Sequence, residues 1–478
     1  MNYRMIGYTL GWVLNFEAGL MLLPLICSII YGEKCVESFI LCILICLLFG
    51  IPLVLKRPKK LDMYSKEGFV IVALAWIIMS LFGCLPFIIS GAIPNFIDAF
   101  FETVSGLTTT GASILSDVEA LPKGIIFWRS FTHWIGGMGV LVFLVAILPL
   151  SGGSNMYLMK AESPGPSVTK LVPRVKSTAK ILYGIYATLT FVLIIFLLTG
   201  KMSLFDAITT AFGTAGTGGF GIKNNSIAGY SSYIQIVVTI FMIIFGVNFS
   251  IYYLLLMKKF KDIFRSDELK AYIFIIVLAT ALISINAYSH FDGVFSAIKH
   301  SAFQVSSIIT TTGFYTKDFN LWPEFSKIII VLLTFMGASA GSTGGGIKVS
   351  RILILLKTIK KELKIAAHPK SVHKVSLDGH PIEHEVMRSA NVYMIAYIAI
   401  FVVTLLLISL DNFDFTTNFT AIATTINNVG PGLSMVGPVE NFSIFSPFSK
   451  LILSFTMLIG RLEIFPMLVL FAPSKWKR

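Results

Sequence analysis

The tetrapeptide Thr108-Thr109-Thr110-Gly111 recurs as Thr310-Thr311-Thr312-Gly313, and two degenerate copies accompany them in the chain. The degenerate copies are Gly216-Thr217-Gly218-Gly219 and Asn427-Asn428-Val429-Gly430. Successive final glycines lie roughly 100 residues apart, a period typical of a duplicated membrane unit rather than of a solenoid. The repeat therefore predicts four equivalent turns around one hole.

A short helix is predicted in front of each turn. Asp98 and Asp206 each lie about 13 residues before the final glycine of their copy, and the same offset falls on His300 and Thr417 in the other two. About 13 residues make a helix of about 20 Å, which is too short to cross a bilayer. The spacing therefore predicts re-entrant pore helices, with the two aspartates at their N-termini as caps or as partners of the helix dipole.

The chemistry of these turns suits a cation. A segment that enters the bilayer and turns back exposes irregular backbone, which is tolerated only where protein surrounds it or water lines it. Glycine permits positive φ at the turn, and threonine adds a hydroxyl oxygen without bulk. Four such turns would present a ring of carbonyl oxygens able to replace a cation's hydration shell. One copy alone also fits a glycine-capped helix end, but four copies at a fixed offset favour the ring.

Composition places the chain among polytopic membrane proteins. Of its 478 residues, 55% are hydrophobic and 13% are charged, and no separate soluble domain is visible. The formal net charge of +13 can indicate nucleic-acid binding, but Lys and Arg stand in short runs between apolar spans. This distribution follows the positive-inside rule, so we expect no nucleic-acid partner.

Hydropathy predicts an all-α polytopic membrane protein with ten spans and four re-entrant helices. The predicted spans are residues 6–30, 38–55, 69–90, 125–150, 181–198, 234–257, 271–287, 327–356, 391–410 and 448–471. Both termini are expected in the cytoplasm, because that orientation places the Lys and Arg runs inside. The predicted organisation is an N-terminal helix pair (1–60) followed by pore repeats one (61–160), two (161–265), three (266–365) and four (366–478), each formed by a helix, a pore helix with its turn, and a second helix around a central pore.

Residues 337–346, Gly-Ala-Ser-Ala-Gly-Ser-Thr-Gly-Gly-Gly, interrupt one predicted span with ten small residues. Each glycine costs up to about 1 kcal/mol relative to alanine inside a helix, so we predict an unwound stretch lining a cavity. A close helix-packing surface of small residues is the alternative. A phosphate-binding loop is excluded, because Lys348 follows isoleucine and no strand precedes the segment.

Charged residues within the spans are candidates for function. Arg461 and Glu463 interrupt the last apolar span, where a functional role is the default and a structural ion pair is the alternative. Lys348 and Arg351 are expected at the cytoplasmic end of their span. Glu102 is expected to add negative potential near the pore entry.

The remaining polar residues show no catalytic or metal-binding pattern. Asn248 lies in the middle of a span and is expected to hydrogen-bond across helices. The seven histidines lack metal-ligand spacing, and the five cysteines indicate neither a disulfide framework nor a zinc site. No cluster of His, Asp or Cys supports enzyme chemistry, so we expect neither an enzyme nor a cofactor in this chain.

Nearly the whole chain resembles the Trk/Ktr/HKT potassium-transporter superfamily, and in particular its TrkH-type membrane subunit. The resemblance rests on the four turns, the N-terminal helix pair, the glycine-rich segment and a polar connector. That connector carries Ala161-Glu162-Ser163-Pro164-Gly165-Pro166 and Lys170-Leu171-Val172-Pro173-Arg174. In that family each repeat resembles one subunit of a potassium channel, which implies a fourfold pseudosymmetric pore.

The resemblance also implies roles for particular residues. The implied potassium-binding filter residues are Thr109, Thr110, Gly111, Thr217, Gly218, Gly219, Thr311, Thr312, Gly313, Asn428, Val429 and Gly430. The implied gate below the filter consists of Gly341, Gly344, Gly345, Gly346 and Arg461. A fixed positive charge at Arg461 would oppose the passage of cations.

The repeats and the family resemblance together predict potassium uptake across a bacterial cytoplasmic membrane through a selective, gated, channel-like pore. A proton- or sodium-coupled potassium symporter on the same scaffold is the alternative, although Glu17, Glu102 and Glu463 are too scattered to form an obvious relay. Potassium is the expected substrate, and membrane lipid is expected around the spans. The resemblance further implies a homodimer and a cytosolic, nucleotide-binding regulatory subunit of the TrkA type.

Overall fold

A computed structural model describes residues 2–58, 65–139, 175–371 and 373–470 of the chain. Within these ranges, six helical segments are long and apolar enough to cross a membrane, and a bent helix pair makes up to seven. This pattern confirms a multi-pass, all-α membrane protein. The polar connector and the second half of the predicted span 125–150 lie outside the described residues.

Helices dominate the described part of the chain. Its first half contains α1 (Tyr3–Leu20), α2 (Leu22–Ile30), α3 (Val36–Leu55), α4 (Ser65–Gly83), α5 (Leu85–Ile89), α6 (Phe96–Leu107), α7 (Lys123–Met138), α8 (Val175–Thr199), α9 (Leu204–Ala215) and α10 (Ser232–Phe245). The second half contains α11 (Phe249–Leu256), α12 (Phe260–Arg265), α13 (Asp267–Asn286), α14 (Val294–Ile309), α15 (Glu324–Met336), α16 (Val349–Ala367), α17 (His384–Ile408), α18 (Phe415–Ile426), α19 (Pro447–Arg461) and α20 (Phe465–Leu470). Two short strands, β1 (Ser376–Leu377) and β2 (His380–Pro381), pair antiparallel between α16 and α17.

Four short helices end immediately before the four turns and are the pore helices. They are α6, α9, α14 and α18, and each has 12 residues except α14, which has 16. They confirm the re-entrant helices predicted from the spacing. The third begins at Val294, earlier than the offset to His300 suggested.

The pore-helix N-termini are capped by residues other than the predicted aspartates. Asn95 caps α6 by accepting two backbone N–H bonds at 2.9 and 3.2 Å, and Ser203 caps α9 by accepting from the N–H of Asp206 at 3.1 Å. Asp98 and Asp206 lie in the first turn, where a carboxylate faces the positive end of the helix dipole. Of the two roles predicted for these aspartates, cap or partner of the helix dipole, only the second is therefore confirmed. Asp414, which the sequence analysis missed, caps α18.

The helices that follow the turns close the four repeats into a circle. Helix α7 packs against pore helices α6 and α9, and α10 packs against α9 and α14. Helix α15 packs against α14 and α18, and α19 packs against α18 and α6. Each of these helices bridges the pore helix of its own repeat to that of the next repeat. Because the fourth bridges back to the first, the four turns are arranged around one axis.

Two spans predicted as continuous helices are broken. The span 234–257 consists of α10 and α11, which are bent by 89° relative to each other. Asn248 caps α11, its side chain accepting from the N–H of Ser250 at 2.9 Å, so its predicted bond across helices is replaced by a local one. The span 448–471 breaks after Arg461, where Glu463 and Ile464 adopt φ values of 55° and 70°. Hydropathy averages over a window, so it does not register a break whose residues are flanked by apolar helix.

The segment between α15 and α16 is not helical. Helix α15 ends at Met336 and α16 begins at Val349, and irregular backbone connects them. This confirms the unwound stretch predicted from the ten small residues. We call residues 337–348 the small-residue loop.

Candidate functional site

The four turns share one backbone conformation. The second residue of each turn has positive φ, namely Thr109 (56°), Thr217 (52°), Thr311 (58°) and Asn428 (55°). The final glycines also have positive φ, namely Gly111 (80°), Gly219 (77°), Gly313 (85°) and Gly430 (95°). Positive φ is uncommon for residues with a side chain, so its recurrence at one position in all copies shows that the repeats fold alike. We call residues 108–111, 216–219, 310–313 and 427–430 the turn ring.

Backbone hydrogen bonds fasten each turn to its pore helix. The residue before the final glycine donates its N–H to a carbonyl in the last part of the helix. These bonds are Thr110 to Ser105 (2.9 Å), Gly218 to Gly213 (2.9 Å), Thr312 to Ser307 (2.7 Å) and Val429 to Thr424 (2.8 Å). The position of each turn therefore follows from the position of its pore helix.

Contacts between successive turns close the ring. A Cβ atom added to Gly430 would lie 2.7 Å from the carbonyl oxygen of Thr110 in the first turn. In the same way, Gly111 lies against the carbonyl of Gly218, and Gly219 lies against the carbonyl of Thr312. Gly313 lies against the carbonyl of Val429. The contacts run from turn one through turns two, three and four and back to turn one. Four backbone carbonyl groups at equivalent positions are thereby brought into one ring.

A cavity of about 130 Å³ opens onto the ring. All four final glycines line it, namely Gly111, Gly219, Gly313 and Gly430. Polar side chains such as Ser113, Asn224 and Asn441 contribute to its walls. The backbone of the turn ring can therefore be reached from this cavity.

Side chains of the turn ring bond to one another within and between turns. The hydroxyl oxygens of Thr108 and Thr110 lie 2.8 Å apart, and those of Thr310 and Thr312 repeat this distance. Asn428, which stands where the first and third turns have threonine, donates from Nδ2 to the hydroxyl of Thr110 at 2.9 Å. The departure of the fourth turn from Thr-Thr-Thr-Gly therefore adds a bond between neighbouring turns.

A buried ion pair supports the first turn from behind. Glu102 is fully buried, and its carboxylate accepts from Arg129 Nε at 2.7 Å, from the Ser113 hydroxyl at 2.9 Å and from the Ile114 N–H at 2.9 Å. The guanidinium of Arg129 also lies 3.5 Å above the ring of Phe220. Glu102 does not face the pore entry as predicted, because its charge is compensated inside the protein by a residue 27 positions away.

Breaking this pair should destabilise the fold. We expect Arg129→Met to lower the free energy of unfolding by about 3–5 kcal/mol, because the Glu102 carboxylate would stay buried without its counter-charge. Equilibrium unfolding in detergent micelles measures the change. Lys327→Met is the matched control, since Lys327 pairs with the exposed Glu324 on one helix face, and such surface pairs contribute at most about 1 kcal/mol. Equal losses in the two variants would contradict the supporting role of Arg129.

The small-residue loop lies directly against the third and fourth turns. The N–H of Gly345 donates to the Thr311 hydroxyl at 2.7 Å. A Cβ atom added to Gly344 would lie 2.9 Å from the carbonyl oxygen of Thr310, and one added to Gly345 would lie 3.0 Å from Asn428 Cβ. The structure therefore brings these two predicted gate residues into contact with predicted filter residues.

The other two predicted gate glycines shape the loop away from the turn ring. Gly341 has a φ of 69° and accepts from the N–H of Phe249 at 3.0 Å, at the start of α11. Gly346 has a φ of 76°, and an added Cβ would lie 2.6 Å from Gly337 Cα. The loop is thus folded on itself and attached to the broken helix of the second repeat.

Arg461 joins the loop, the turn ring and the end of α7. Its Nη1 donates to the carbonyl of Thr343 at 2.8 Å and to the hydroxyl of Thr109 at 3.2 Å. Its Nη2 donates to the carbonyls of Gly136 at 2.6 Å and Gly137 at 2.8 Å. The guanidinium therefore places a positive charge next to the first turn.

Two further cations, Lys348 and Arg351, lie near the loop and inside the protein. Their predicted place at the cytoplasmic end of a span stays a prediction. Lys348 and Arg351, predicted at the cytoplasmic end of a span, are only 1% and 5% exposed. The ammonium of Lys348 donates to the carbonyl of Gly344, and Arg351 pairs with Glu463 across 112 positions of sequence. Protein groups therefore bind both cations, a backbone carbonyl for Lys348 and a carboxylate for Arg351.

Glu268 joins the small-residue loop to the start of α16 and was missed by the sequence analysis. Its carboxylate accepts from the N–H of Ala340 at 2.7 Å and from the N–H of Ser350 at 3.1 Å. It is 7% exposed and lies in the first turn of α13. An acidic residue at that place in the sequence is equally typical of a helix-dipole partner, so sequence alone gives no distinguishing signal.

Comparison with known proteins extends these observations over the whole chain. A family model described as TrkH, cation transport protein, matches residues 35–477. The chain is 37% identical over 485 residues to the Trk system potassium uptake protein TrkH of Salmonella typhimurium, and both chains are covered in full. It is 32% identical over 485 residues to the Trk system potassium uptake protein TrkG of Escherichia coli strain K12, covering 100% of this chain and 99% of that protein.

The fold agrees with a solved structure as well. The crystal structure of the potassium transporter TrkH from Vibrio parahaemolyticus superposes with a TM-score of 0.90 at 34% sequence identity, and each chain is covered in full. The family resemblance and the fold class predicted from the sequence are both confirmed. The family is one of transporters, which is not an enzyme class. The chain belongs to the TrkH family of cation transport proteins.

Proposed function

We propose that this chain takes up potassium ions across the cytoplasmic membrane of a bacterium through a selective, gated pore. The observation that carries the proposal is the closure of four equivalent turns into one ring of backbone carbonyls. The names of the relatives, which are potassium uptake proteins and a potassium transporter, support potassium as the cation. A membrane potential of about 100 mV contributes about 2.3 kcal/mol per inward charge, enough to drive accumulation without a nucleotide site in this chain.

We assign the turn ring to the selectivity filter of this pore. The proposed potassium-binding residues are Thr109, Thr110, Gly111, Thr217, Gly218, Gly219, Thr311, Thr312, Gly313, Asn428, Val429 and Gly430. Their carbonyl and hydroxyl oxygens suit a weakly hydrated monovalent cation, and four walls can replace its hydration shell. The shared φ pattern of the four turns supports a common role.

The proposed gate is the small-residue loop together with Arg461. Gly341, Gly344, Gly345, Gly346 and Arg461 are its residues. The contacts of Gly344 and Gly345 with the turn ring support a position of the loop on the ion path, next to the proposed filter. Arg461 bonds to this loop and to the first turn, so displacement of the loop would break one of the bonds that hold its guanidinium.

A pore is favoured over proton-coupled symport on the same scaffold. Two of the three acids considered for a relay are held in ion pairs, Glu102 with Arg129 and Glu463 with Arg351. The third, Glu17, is buried in the N-terminal helix α1 next to Gly83. These positions do not connect into a chain of proton carriers along the axis of the turn ring.

The surrounding organisation belongs to the same proposal. We propose the domain limits 1–60, 61–160, 161–265, 266–365 and 366–478, with both termini in the cytoplasm and membrane lipid around the spans. A second copy of the chain and a cytosolic, nucleotide-binding subunit of the TrkA type are the proposed partners. A cationic cleft supports such a partner, because it is lined by Lys357, Lys360, Lys361, Lys364, His373 and Lys374 at the end of α16.

Ion flux into liposomes holding the purified chain tests the function. We expect potassium flux at least about tenfold above sodium flux, driven by membrane potential and unchanged by an imposed pH gradient. Protein-free liposomes of the same lipid are the control. Potassium flux that appears only with a pH or sodium gradient would favour the symporter, and flux without preference for potassium would contradict a selective filter.

A further inference from the structure

The second turn has glycine at two positions where the other turns have side chains. Gly216 and Gly218 correspond to Thr108 and Thr110 of the first turn. Gly216 has a φ of −71°, and Gly218 is likewise outside the left-handed region. Neither position therefore requires glycine for its backbone conformation, and another cause must exclude the side chains.

That cause is His133 on helix α7. A Cβ atom added to Gly218 would lie 2.6 Å from His133 Cδ2 and closer still to Cγ and Nδ1 of the same imidazole. A Cβ atom added to Gly216 would lie 2.6 Å from the carbonyl carbon of His133 and 3.2 Å from its Cβ. The imidazole thus excludes a side chain at Gly218, whereas the backbone of His133 excludes one at Gly216.

The imidazole also forms hydrogen bonds to the first pore helix and to the residue after the second turn. His133 is fully buried, and its Nδ1 lies 2.7 Å from the carbonyl oxygen of Gly106. Its Nε2 accepts from the N–H of Phe220 at 3.2 Å. A neutral imidazole with its proton on Nδ1 satisfies both partners. The ring therefore connects pore helix α6 to the residue that follows Gly219.

The fourth repeat has no imidazole at the corresponding place. Gly136 lies against the carbonyl of Leu107, the last residue of its pore helix, and Gly460 lies against that of Ile426 in the same way. These equivalent contacts align α7 with α19. In this alignment Met457 of α19 corresponds to His133 of α7, because each lies three positions before its glycine. The imidazole is accordingly a feature by which these two walls differ.

We propose that His133 is a specificity-determining positioning residue, whose imidazole takes the place of a side chain absent from the second turn and sets that turn's distance from the first. This inference rests on the proposed function of the turn ring as the selectivity filter. It accounts for the departure of the second turn from Thr-Thr-Thr-Gly: the glycines make room for an imidazole that bonds to both neighbouring segments. His133 acts on the ion through the turn.

Three variants distinguish the effect of the His133 imidazole from the effect of the His133 backbone. Gly218→Thr alone should lower potassium flux in liposomes at least about tenfold, because the new side chain overlaps the imidazole. Gly218→Thr combined with His133→Ala should recover most of that loss, since the threonine then occupies the vacated space. Gly216→Thr should be equally harmful alone but should not be rescued by His133→Ala, because its obstacle is the backbone carbonyl.

The potassium-to-sodium flux ratio distinguishes positioning from general stability. His133→Ala alone should lower that ratio at least about threefold in protein that still elutes as a folded species, because the second turn loses its support. His133→Asn, which keeps a donor for Gly106, should restore part of it. An unchanged ratio in His133→Ala, or equal rescue of Gly216→Thr and Gly218→Thr, would overturn the inference.

One further variant distinguishes failure of this inference from failure of the filter assignment on which it rests. Gly313→Ala alters the third turn, which His133 does not contact. If Gly313→Ala leaves flux and selectivity unchanged, the filter assignment itself fails. If Gly313→Ala impairs flux while Gly218→Thr is not rescued by His133→Ala, the filter assignment stands and the role of His133 is wrong.

Discussion

Replacing Gly313 by alanine should lower the potassium flux of the reconstituted protein by at least about 100-fold. Gly313 has a φ of 85°, and an added Cβ would meet the carbonyl oxygen of Val429 and, at 3.0 Å, Cδ of Pro431. The left-handed conformation costs a residue with a side chain about 1–2 kcal/mol, and the contact cannot relax unless the fourth turn moves. A combined effect of about 3 kcal/mol on the barrier corresponds to about 100-fold in rate.

Gly91→Ala is the matched control for this change. Gly91 has a φ of 76°, but no atom lies within 4 Å of the place where its Cβ would stand. It therefore carries the same backbone strain without contact to the ring, and its flux should stay within about twofold of the wild type. Flux and selectivity at the wild-type level in a folded Gly313→Ala protein would remove Gly313 from the filter.

Neutralising Arg461 should raise the basal potassium conductance by about 10-fold to 1,000-fold. Its guanidinium bonds to Thr109 in the first turn and to Thr343 in the small-residue loop, so its charge stands beside the proposed ion path. A unit charge about 4 Å from a passing cation costs about 4 kcal/mol at an effective dielectric constant of 20. This cost corresponds to about three orders of magnitude in rate, which sets the upper limit.

Two substitutions separate the charge of Arg461 from its hydrogen bonds. Arg461→Gln keeps donors but removes the charge, whereas Arg461→Lys keeps the charge but loses the planar fork. If the charge is the barrier, Arg461→Gln should conduct and Arg461→Lys should stay near the wild-type level. Equal conductance in both variants would indicate that the hydrogen bonds hold the loop closed and that the charge is secondary.

The loop and the arginine should act on one barrier. A deletion within residues 344–346 should also raise conductance, because it withdraws the segment that touches Thr310 and Thr311. Combined with Arg461→Gln it should give less than the product of the two single effects. Wild-type conductance in both folded single variants would place the gate elsewhere in the chain.

Much of the local backbone could be predicted from the sequence. The final glycines of the four turns were expected at positive φ, and Gly111, Gly219, Gly313 and Gly430 all have it. Pore helices were expected before the turns, and an unwound stretch was expected at residues 337–346. These features depend on the conformational preferences of a few consecutive residues and on their spacing, and both are visible in a single chain.

Two other helix breaks were beyond the reach of the sequence. Hydropathy treated residues 234–257 and 448–471 as uninterrupted spans, yet the chain turns sharply before Asn248 and again at Glu463 and Ile464. A break in a membrane helix leaves backbone groups without intrahelical partners, and neighbouring segments must supply those partners. The carbonyl of Gly246, for example, accepts from the N–H of Ser339 in the small-residue loop.

Four pore turns of similar conformation in a membrane follow from the amino-acid sequence alone, because glycine, threonine and apolar spacing act locally. The order of the turns around the ring and the partners of the buried charges depend on the packing of the whole chain. Glu102 pairs with Arg129 and Arg351 with Glu463, and neither pair follows from residue type. The physical reason is that a charge in a low-dielectric interior must be compensated by whichever group the packing of distant helices brings near it.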